Sequence, residues 1–477
     1  MEFHFIPLSL TESRRALFLK ALSLPFCCSQ NSPPDENGCA RWNILTASPQ
    51  FLLEAEDSTL FFSQFQEKMR AISNQVEQAQ LHSSENYQYY DEYWRSLETE
   101  DDYNPTPPLP GFFGFLSYDL LAPLKKNEEK KTSFEIPGAC LGFYPWIIVF
   151  NTKKAGEAAL ISCLDQAQTE AIKQWIMQNQ PFPESLLFTG EKTSSTEENT
   201  TSFCLESPFV PDENLTYYHD SFEKIMHHLK IGDCYQVNFA QRFTSKFKGH
   251  PALAYLKLIE KTAAPFAVYF QAPKYALVSA SPERFLSVSG KKVASFPIKG
   301  TMKRDSNKNQ DITNAQYLET SEKNKAENLM IVDLLRNDMS HVAEKISVPV
   351  LFKLKRFKNV FHLESIVSGL LKQDYNAINL LEACFPGGSI TGAPKAMAMN
   401  IIEALETKKR TVYCGTFIHL DLLGALNSNI LIRTLLTANN HIYVWSGGGI
   451  VSDSDAASEY QETLDKVDLL LRTLSNL

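Results

Sequence analysis

Two kinds of hydrophobic pattern recur along the chain. Short apolar runs rich in β-branched and aromatic residues, some alternating with polar residues, are typical of strands. The segments with this pattern are 146–151, 266–271, 275–281 and 285–288. The segments that repeat apolar residues at helical spacing are 217–229, 377–384, 393–405 and 456–474. Because the strands come as neighbouring pairs rather than strand–helix–strand units, we predict an α+β (mixed α/β) fold in which largely antiparallel β-sheets form a sandwich with helices packed outside.

A polar stretch near the middle divides the chain into two parts. TGEKTSSTEENTTS, which begins at residue 189, has the composition of a surface connection. We therefore predict an amino-terminal region over residues 1–188, a linker or surface loop over 189–207, and a catalytic region over 208–477 that holds nearly all of the concentrated polar motifs. A chain of 477 residues can form two subdomains or one elaborated domain, and we expect the two parts to share one composite fold.

The charge balance and the cysteines narrow the class of protein. The 46 Lys and Arg residues are outnumbered by 55 Asp and Glu residues, which argues against binding to nucleic acid or to an anionic membrane surface. No run approaches the roughly 18–20 apolar residues that cross a membrane. The nine cysteines include no CxxC pair, which favours reduced thiols. We expect a cytoplasmic protein that binds neither nucleic acid nor membrane.

One predicted hairpin brings a carboxylate and an amine together. The segment SASPERFLSVSGKKVASFPIKGT, residues 279–301, contains two strand-like runs joined at Gly290 and Lys291. If paired position numbers sum to 581 or 582, Glu283 lies opposite Lys299 or within one residue of it. Direct partners across two strands are about 4.5–5.5 Å apart at Cβ. The pattern therefore predicts that these two side chains meet.

This pair has two interpretations. It is either an ion pair on a solvent-exposed face or a catalytic pair. Pro282 and Pro297 favour the second, because prolines mark strand ends or bulges that turn side chains toward a cleft. A nucleophilic Lys299 must be neutral, yet a lysine of pKa about 10.4 is neutral only about 0.04% of the time at pH 7. Burial or a nearby cation must lower that pKa, and Glu283 suits the role of proton donor and acceptor.

Acidic residues on two predicted helices form a second candidate group. Glu327 lies in the apolar segment 323–340, which we predict to be a buried helix. Glu459 and Glu462 are three residues apart, and Lys466 follows Glu462 by four, so these side chains are helical neighbours. They form either structural ion pairs on their helices or a magnesium site of few protein carboxylates.

Two glycine-rich stretches suggest places where main-chain amides could hold a carboxylate. They are PGGSITGAPK, residues 386–395, and SGGGIVSDS, residues 446–454, and we predict a turn in each. Neither has the spacing of a nucleotide-binding motif. Arg433 interrupts an apolar run that we predict to be a strand, and a bidentate contact to a carboxylate is the functional interpretation. GACLG resembles a nucleophile elbow, but we interpret Cys140 as a core cysteine.

With these residues considered together, the sequence resembles the chorismate-utilising enzymes, the family of anthranilate, aminodeoxychorismate, isochorismate and salicylate synthases. The resemblance is strong over residues 212–474, and RWNILTASP, FLLEAE and GFFGFLSYDL resemble the family's amino-terminal segments. PIKGT resembles the aminodeoxychorismate synthase branch, since anthranilate synthases typically have alanine where Lys299 stands. Gln236 stands where the water-adding branches carry a lysine base. Nitrogen is therefore the expected nucleophile.

The resemblance implies roles for single residues. Lys299 would attack C2 of chorismate with loss of the C4 hydroxyl, and ammonia would then enter at C4 and expel the lysine. Glu283 would act as general acid and base, and His362 in FHLES would lie near the substrate ring. Glu327, Glu459 and Glu462 would bind Mg²⁺. The substrate-binding positions implied in the same way are Gln236, Thr301, Ser389, Thr391, Lys395, Arg433, Gly447, Gly448 and Gly449.

The resemblance also implies partners. Chorismate would be the substrate, and a separate glutamine amidotransferase subunit would supply the ammonia, because we recognise no glutaminase domain in the sequence. One alternative is an anthranilate synthase component I with an unusual lysine. The other is a catalytically silent relative with a binding or regulatory role, which the intact set of lysine and carboxylates disfavours.

Overall fold

The computed structural model describes residues 3–32, 43–77, 108–121, 134–150, 156–178, 180–188, 202–357 and 360–477. Within these ranges the chain forms two β-sheets, one of thirteen strands and one of ten, together with ten α-helices. Every strand pairing in them is antiparallel. The predicted α+β fold is confirmed. No helix in the described ranges is long and apolar enough to cross a membrane.

The larger sheet combines strands from both ends of the chain. Its main path runs, in spatial order, through β1 (His4–Ser9), β8 (Glu157–Ser162), β7 (Trp146–Phe150), β3 (Asn43–Thr46), β2 (Cys28–Asn31), β12 (Phe266–Gln271), β13 (Tyr275–Ser281), β22 (Thr434–Ala438), β23 (His441–Ile450), β11 (Gln236–Gly249) and β10 (Val210–Pro211). Two short strands, β9 (Phe203–Leu205) and β19 (Gly392–Ala393), pair with β11 beside this path.

The smaller sheet is built in the same way. Its path runs through β16 (Ile298–Lys303), β18 (Val360–Leu371), β15 (Lys292–Ser295), β14 (Arg284–Ser289), β21 (Leu426–Ile430), β20 (Thr416–Asp421), β5 (Gly111–Leu116), β6 (Ala139–Tyr144) and β4 (Phe51–Ala55). The long strand β17 (Ala343–Arg356) pairs with β18. Cys140 is fully buried in β6, which confirms its interpretation as a core cysteine.

The helices connect these strands. In chain order they are α1 (Arg14–Ala21), α2 (Phe61–Glu77), α3 (Gln166–Gln178), α4 (Leu215–Lys230), α5 (Pro251–Thr262), α6 (Lys308–Thr320), α7 (Glu322–Ser340), α8 (Ala377–Cys384), α9 (Lys395–Leu405) and α10 (Ala456–Ser475). The predicted helices correspond to α4, α8, α9 and α10. The prediction for α9 began two residues early, because Pro394 is the amino-terminal cap and not a helical residue.

The sheets pack face to face around an aromatic core. Phe270 of the larger sheet contacts Phe115 and Phe417 of the smaller sheet, with ring centroids 5.8 and 6.1 Å apart. Tyr269, the neighbour of Phe270 in β12, belongs to a second core between the opposite face of the larger sheet and helices α1, α3, α5 and α10. Alternate residues of one strand thus serve two cores. Each such buried aromatic or aliphatic side chain contributes about 1.5–3 kcal/mol.

The two parts of the chain share both sheets. Strand β2 pairs with β12 in the larger sheet, and β5 pairs with β20 in the smaller sheet. Residues 189–201 of the predicted linker lie outside the described residues. The rest of that linker was wrongly predicted as a connection, because residues 203–205 form β9 and pair with β11.

Candidate active site

The predicted hairpin forms with the predicted register but ends early. Leu286 pairs with Ser295, and Ser289 pairs with Lys292, so paired positions sum to 581. Beyond Ser295 the chain passes through Pro297, which has no amide hydrogen to donate, and β16 pairs instead with β18. The predicted direct cross-strand partnership of Glu283 and Lys299 is therefore wrong.

Glu283 and Lys299 nevertheless meet through Ser389. The hydroxyl of Ser389 donates to Glu283 Oε1 at 3.0 Å, and Lys299 Nζ donates to the Ser389 carbonyl oxygen at 3.4 Å. The main-chain amide of Ile298 also donates to the Glu283 carboxylate. The sequence thus predicted that these two residues lie close together, but not that Ser389 connects them.

Burial shifts the pKa values of both groups toward neutral pH. Burial raises the pKa of Glu283 to about 7, against the hydrogen bond from Ser389 and the charge of Lys299. Part of Lys299 reaches solvent, but the protein atoms around its amine lower its pKa by desolvation. Glu327 and Glu283 act to raise the pKa of Lys299, whereas the like charge of Lys466 lowers it further. Burial and a nearby cation, the two influences that can lower a lysine pKa, therefore both act on Lys299.

Glu327 and Glu462 act on this amine, and Glu459 neighbours Glu462. Glu327 comes from α7, and Glu459 and Glu462 come from α10. Burial raises the pKa of Glu327 and of Glu459, and the charge of Glu462 acts in the same direction on both. Burial also acts to raise the pKa of Glu462, but the ion pair with Lys466 holds it below its ordinary value. The structure thus brings together acids that the sequence could not connect.

The surroundings of these carboxylates differ. Glu459 is buried and accepts a hydrogen bond from the Ser454 hydroxyl at 2.6 Å. Lys466 forms an ion pair with Glu462 at 2.6 Å, which the four-residue spacing predicted as one of two interpretations, and donates to the Gly447 carbonyl at 2.9 Å. Glu327 lies on the half-buried side of an amphipathic helix. The prediction that α7 is buried was too strong, because Leu329 is 52% exposed.

The donor chemistry of the acidic group suits Mg²⁺. No three His, Cys, Asp or Glu side chains in the described ranges already converge in the manner of a preformed metal site. However, a cation would offset the burial and the like charge that raise the pKa values of Glu327 and Glu459, and Lys466 already provides a positive charge beside Glu462. A few carboxylate oxygens with the remaining positions left to water and substrate are the usual environment of Mg²⁺.

His362 is a neutral group beside Thr301. The two residues are direct partners between β16 and β18, and His362 Nδ1 lies 2.9 Å from Thr301 Oγ1. Burial, with a contribution from the charge of Arg433, lowers the pKa of His362 to about 3. The ring is therefore uncharged at physiological pH and can only exchange neutral hydrogen bonds.

Arg433 was wrongly placed inside a strand. It lies between β21, which belongs to the smaller sheet, and β22, which belongs to the larger, so the chain crosses from one sheet to the other at this point. Its φ of 50° is left-handed, as a sharp change of direction requires. The guanidinium has neither an ion pair nor a side-chain hydrogen bond to the described residues, and burial lowers its pKa. It is available for an anionic partner.

The glycine-rich segment 446–454 was also partly misplaced. Gly447, Gly448 and Gly449 lie inside β23 and pair with β11, and the turn comes only after Ile450. A β-carbon on Gly448 would stand 2.9 Å from Glu459 Oε2. Glycine at this position therefore leaves room beside the acidic group.

Gln236 begins β11 and is fully buried. Among the described residues, neither its amide nitrogen nor its amide oxygen has a hydrogen-bond partner. A β-carbon on Gly449 would lie 2.7 Å from the Gln236 Nε2 atom, so the two residues are in close contact. A buried amide without partners costs about 1–3 kcal/mol, which is uncommon in a native core.

The segment 386–395 contains the predicted turn, a short 3-10 helix at Gly388–Ile390. Thr391 is buried and donates its hydroxyl to the Gly387 carbonyl at 3.0 Å. The ammonium of Lys395 is 2.6 Å from Asp338 of α7 and donates to the Cys384 carbonyl at 3.2 Å. Of the residues in this segment, only Ser389 hydrogen-bonds to Glu283 and Lys299.

The sequence of the chorismate binding enzyme family matches residues 48–472 of this chain. The chain belongs to this family. It is 38% identical to aminodeoxychorismate synthase component 1 of Klebsiella aerogenes, over 78% of this chain and 79% of that protein. It is 36% identical to the protein of the same name in Escherichia coli strain K12, over 76% and 77%. Anthranilate synthase component I from Streptococcus pneumoniae TIGR4 superposes with a TM-score of 0.69, with 27% identity over 91% and 92% of the two chains.

The sequence did not predict the influence of Lys466 on this site. Its spacing from Glu462 indicated an ion pair, but not that its charge would also act on Lys299. The position of Ser389 between Glu283 and Lys299 had no sequence signal, because more than 80 residues separate it from each of them. Both contacts depend on how the two sheets bring distant segments together.

Proposed function

We propose that this protein is component 1 of an aminodeoxychorismate synthase, which converts chorismate and ammonia to 4-amino-4-deoxychorismate, a precursor of p-aminobenzoate and folate. The observation that carries the proposal is the placement of Lys299 beside Glu283 and Ser389, with burial lowering the pKa of the amine. The similarity to two proteins of that name supports the same conclusion.

In the first step, the neutral amine of Lys299 would form a bond to C2 of chorismate, both double bonds of the ring diene would shift, and the C4 hydroxyl would leave. The departing hydroxyl needs a proton to leave as water. Glu283 is suited to give it, because a carboxyl with a pKa of about 7 still holds its proton in a large fraction of molecules at neutral pH. The adduct nitrogen on Lys299 keeps its positive charge, which makes it a good leaving group.

In the second step, ammonia would bond to C4, both ring double bonds would shift back, and the protonated lysine nitrogen would leave C2 as a neutral amine. The ammonium formed at C4 loses a proton, for which ionised Glu283 is the nearby acceptor. The net change is replacement of hydroxyl by amine at C4 with release of water, and Lys299 returns to its starting state. Two allylic displacements thus replace one difficult substitution.

Other residues would hold the substrate. Arg433 offers a guanidinium without a partner in the described ranges, which suits one carboxylate of chorismate. Glu327, Glu459 and Glu462 would hold Mg²⁺, which when bound would neutralise the ring carboxylate. His362, neutral and hydrogen-bonded to Thr301, would contact the ring side of the substrate without adding charge.

We further propose that the ammonia comes from a separate glutamine amidotransferase subunit, with free ammonium as a less efficient source. The name component 1, carried by the two similar proteins, agrees with a second subunit.

A cytoplasmic location fits the cysteines. Among the described residues, eight cysteines are free, and seven of those eight are buried.

The deciding experiment is product analysis after incubation with chorismate, Mg²⁺ and ammonium. We expect a product that aminodeoxychorismate lyase converts to p-aminobenzoate. Fluorescent anthranilate would instead favour the second candidate, an anthranilate synthase component I. The similar fold of the Streptococcus pneumoniae protein is the observation that supports this candidate. No loss of chorismate, even with an amidotransferase partner and glutamine, would indicate a catalytically silent relative.

A further inference from the structure

Ser389 contacts both groups to which we assign the chemistry. Its hydroxyl donates to Glu283 Oε1 at 3.0 Å, and its main-chain carbonyl accepts from Lys299 Nζ at 3.4 Å. Within the described ranges no other residue hydrogen-bonds to both side chains. We propose that Ser389 is a positioning residue that bridges the Glu283 carboxyl and the Lys299 amine and fixes the carboxyl relative to the amine; the proposal rests on the function proposed for these two residues.

The turn that carries Ser389 is fixed from two sides. Thr391 closes it by donating to the Gly387 carbonyl at 3.0 Å. Gly388 packs so tightly on α7 that an added β-carbon would lie 2.5 Å from Leu334 Cδ2. Because α7 also carries Glu327, one rigid helix sets the position of Ser389 and of an acidic neighbour of Lys299. The serine is therefore held in place rather than free to choose its contacts.

The two contacts of Ser389 have different effects, because one uses the side chain and the other the main chain. A hydroxyl that donates to a carboxylate stabilises the ionised form, so it opposes the effect of burial on Glu283. It also fixes the direction in which the other carboxyl oxygen can hold a proton. The contact to Lys299 uses the main-chain carbonyl, which every residue has. Changing the Ser389 side chain should therefore alter Glu283 while leaving the anchor of the amine in place.

This separation gives a test through the pH dependence of chorismate loss. We would compare the wild-type enzyme with S389A, S389T and the control S368A at saturating ammonium and Mg²⁺. Ser368 lies in β18, where its hydroxyl contacts only Ser347 among the described residues, so S368A removes an equivalent hydroxyl away from the site. Circular dichroism and the melting temperature would verify that each variant is folded.

In S389A we expect kcat to fall about tenfold, because the carboxyl loses its orientation, while KM changes little. The pH–rate profile should contain a limb near pH 7 that reports the titration of Glu283 and is absent in E283Q. In S389A the midpoint of this limb should shift to higher pH by about one unit, because the ionised carboxylate has lost a hydrogen-bond donor. S389T, which keeps the hydroxyl, should return the limb to its wild-type position, and S368A should match the wild-type enzyme throughout.

If the midpoint of this limb in S389A equals the wild-type midpoint, the proposal is overturned, whatever the loss of rate. It is also overturned if S389T does not return the midpoint to the wild-type value. The comparison follows chorismate alone, so formation of anthranilate would refute the proposed function without affecting this test. A ¹³C NMR titration of the Glu283 carboxyl, assigned with E283Q, gives the same comparison without turnover. An unchanged titration midpoint in S389A would likewise contradict the proposed role.

Discussion

Lys466 acts on Lys299 from a fixed position: its charge lowers the pKa of that amine, while its own ammonium lies 2.6 Å from Glu462. The second contact, to the Gly447 carbonyl, holds it against β23. One lysine thus helps to keep another neutral, and an acidic neighbour keeps the first from moving away. Burial is the largest cause of the lowered pKa of Lys299, and Lys466 offsets part of the opposing effect of the nearby carboxylates.

Removing the Lys466 charge should raise the pKa of Lys299 by about 0.5–1 unit, as expected when a nearby like charge is lost. We would measure this by labelling with acetic anhydride over a range of pH, with mass spectrometry of the peptide that contains Lys299. K466M should show the shift, and K466R, which keeps the charge, should show little. Identical labelling curves for the wild-type protein and K466M would exclude an influence of Lys466 on the amine.

Glu283 should make the folded protein less stable as pH rises. Its folded-state pKa of about 7 exceeds the unfolded value, so the folded state binds more protons between about pH 4.5 and pH 7. Its stabilising contribution is therefore complete below that window and lost across it. We expect the free energy of unfolding of E283Q, relative to wild type, to increase by about 2–3 kcal/mol between the two pH values. Urea unfolding at each pH measures this difference, and a constant difference would contradict the raised pKa.

We expect the buried amide of Gln236 to destabilise the folded protein and to serve in binding. Q236M replaces a buried amide that has no hydrogen-bond partner in the described part of the chain by an apolar side chain of similar size, so the free energy of unfolding should rise by about 1–2 kcal/mol. The same variant should consume chorismate more slowly if substrate or ammonia uses the amide. Thermal unfolding and kinetics on one preparation test both parts. A less stable Q236M would show that the amide has partners in the folded protein.

Arg433 should behave as a binding residue and not as a structural one. R433M should raise KM for chorismate about 10- to 100-fold through loss of a charge-assisted contact, with little change in the free energy of unfolding. Arg242 is a matched control, because it is half-buried like Arg433 but forms an ion pair with Asp212 at 2.5 Å. R242M should lose about 3 kcal/mol of stability, since Asp212 remains without its partner. Equal destabilisation of both variants would assign Arg433 a structural role.

The features that the sequence predicted well are local. The turn at Gly290 and Lys291 and the register of β14 and β15 follow from one short segment, and α8 begins and ends as its apolar spacing indicates. The same is true of the ion pair between Glu462 and Lys466, which needs only one helix.

The features that it missed depend on contacts between distant segments. Strand β16 leaves the hairpin because β18, some 60 residues later, offers it a partner. Arg433 lies between strands because its neighbours belong to different sheets, and no local pattern reports a change of sheet. Gly447 continues a strand because β11 pairs along it, although glycine alone favours a turn.

The central claim is that Lys299 bonds covalently to chorismate, and mass spectrometry of the intact protein tests it most directly. With chorismate and Mg²⁺ but no ammonia, the wild-type protein should gain the mass of chorismate less one water, and peptide mapping should place the addition on Lys299. K299A should remain folded, gain no mass and fail to form the aminated product. Rapid amination by wild-type protein with no adduct at any time, or undiminished amination by K299A, would contradict the account.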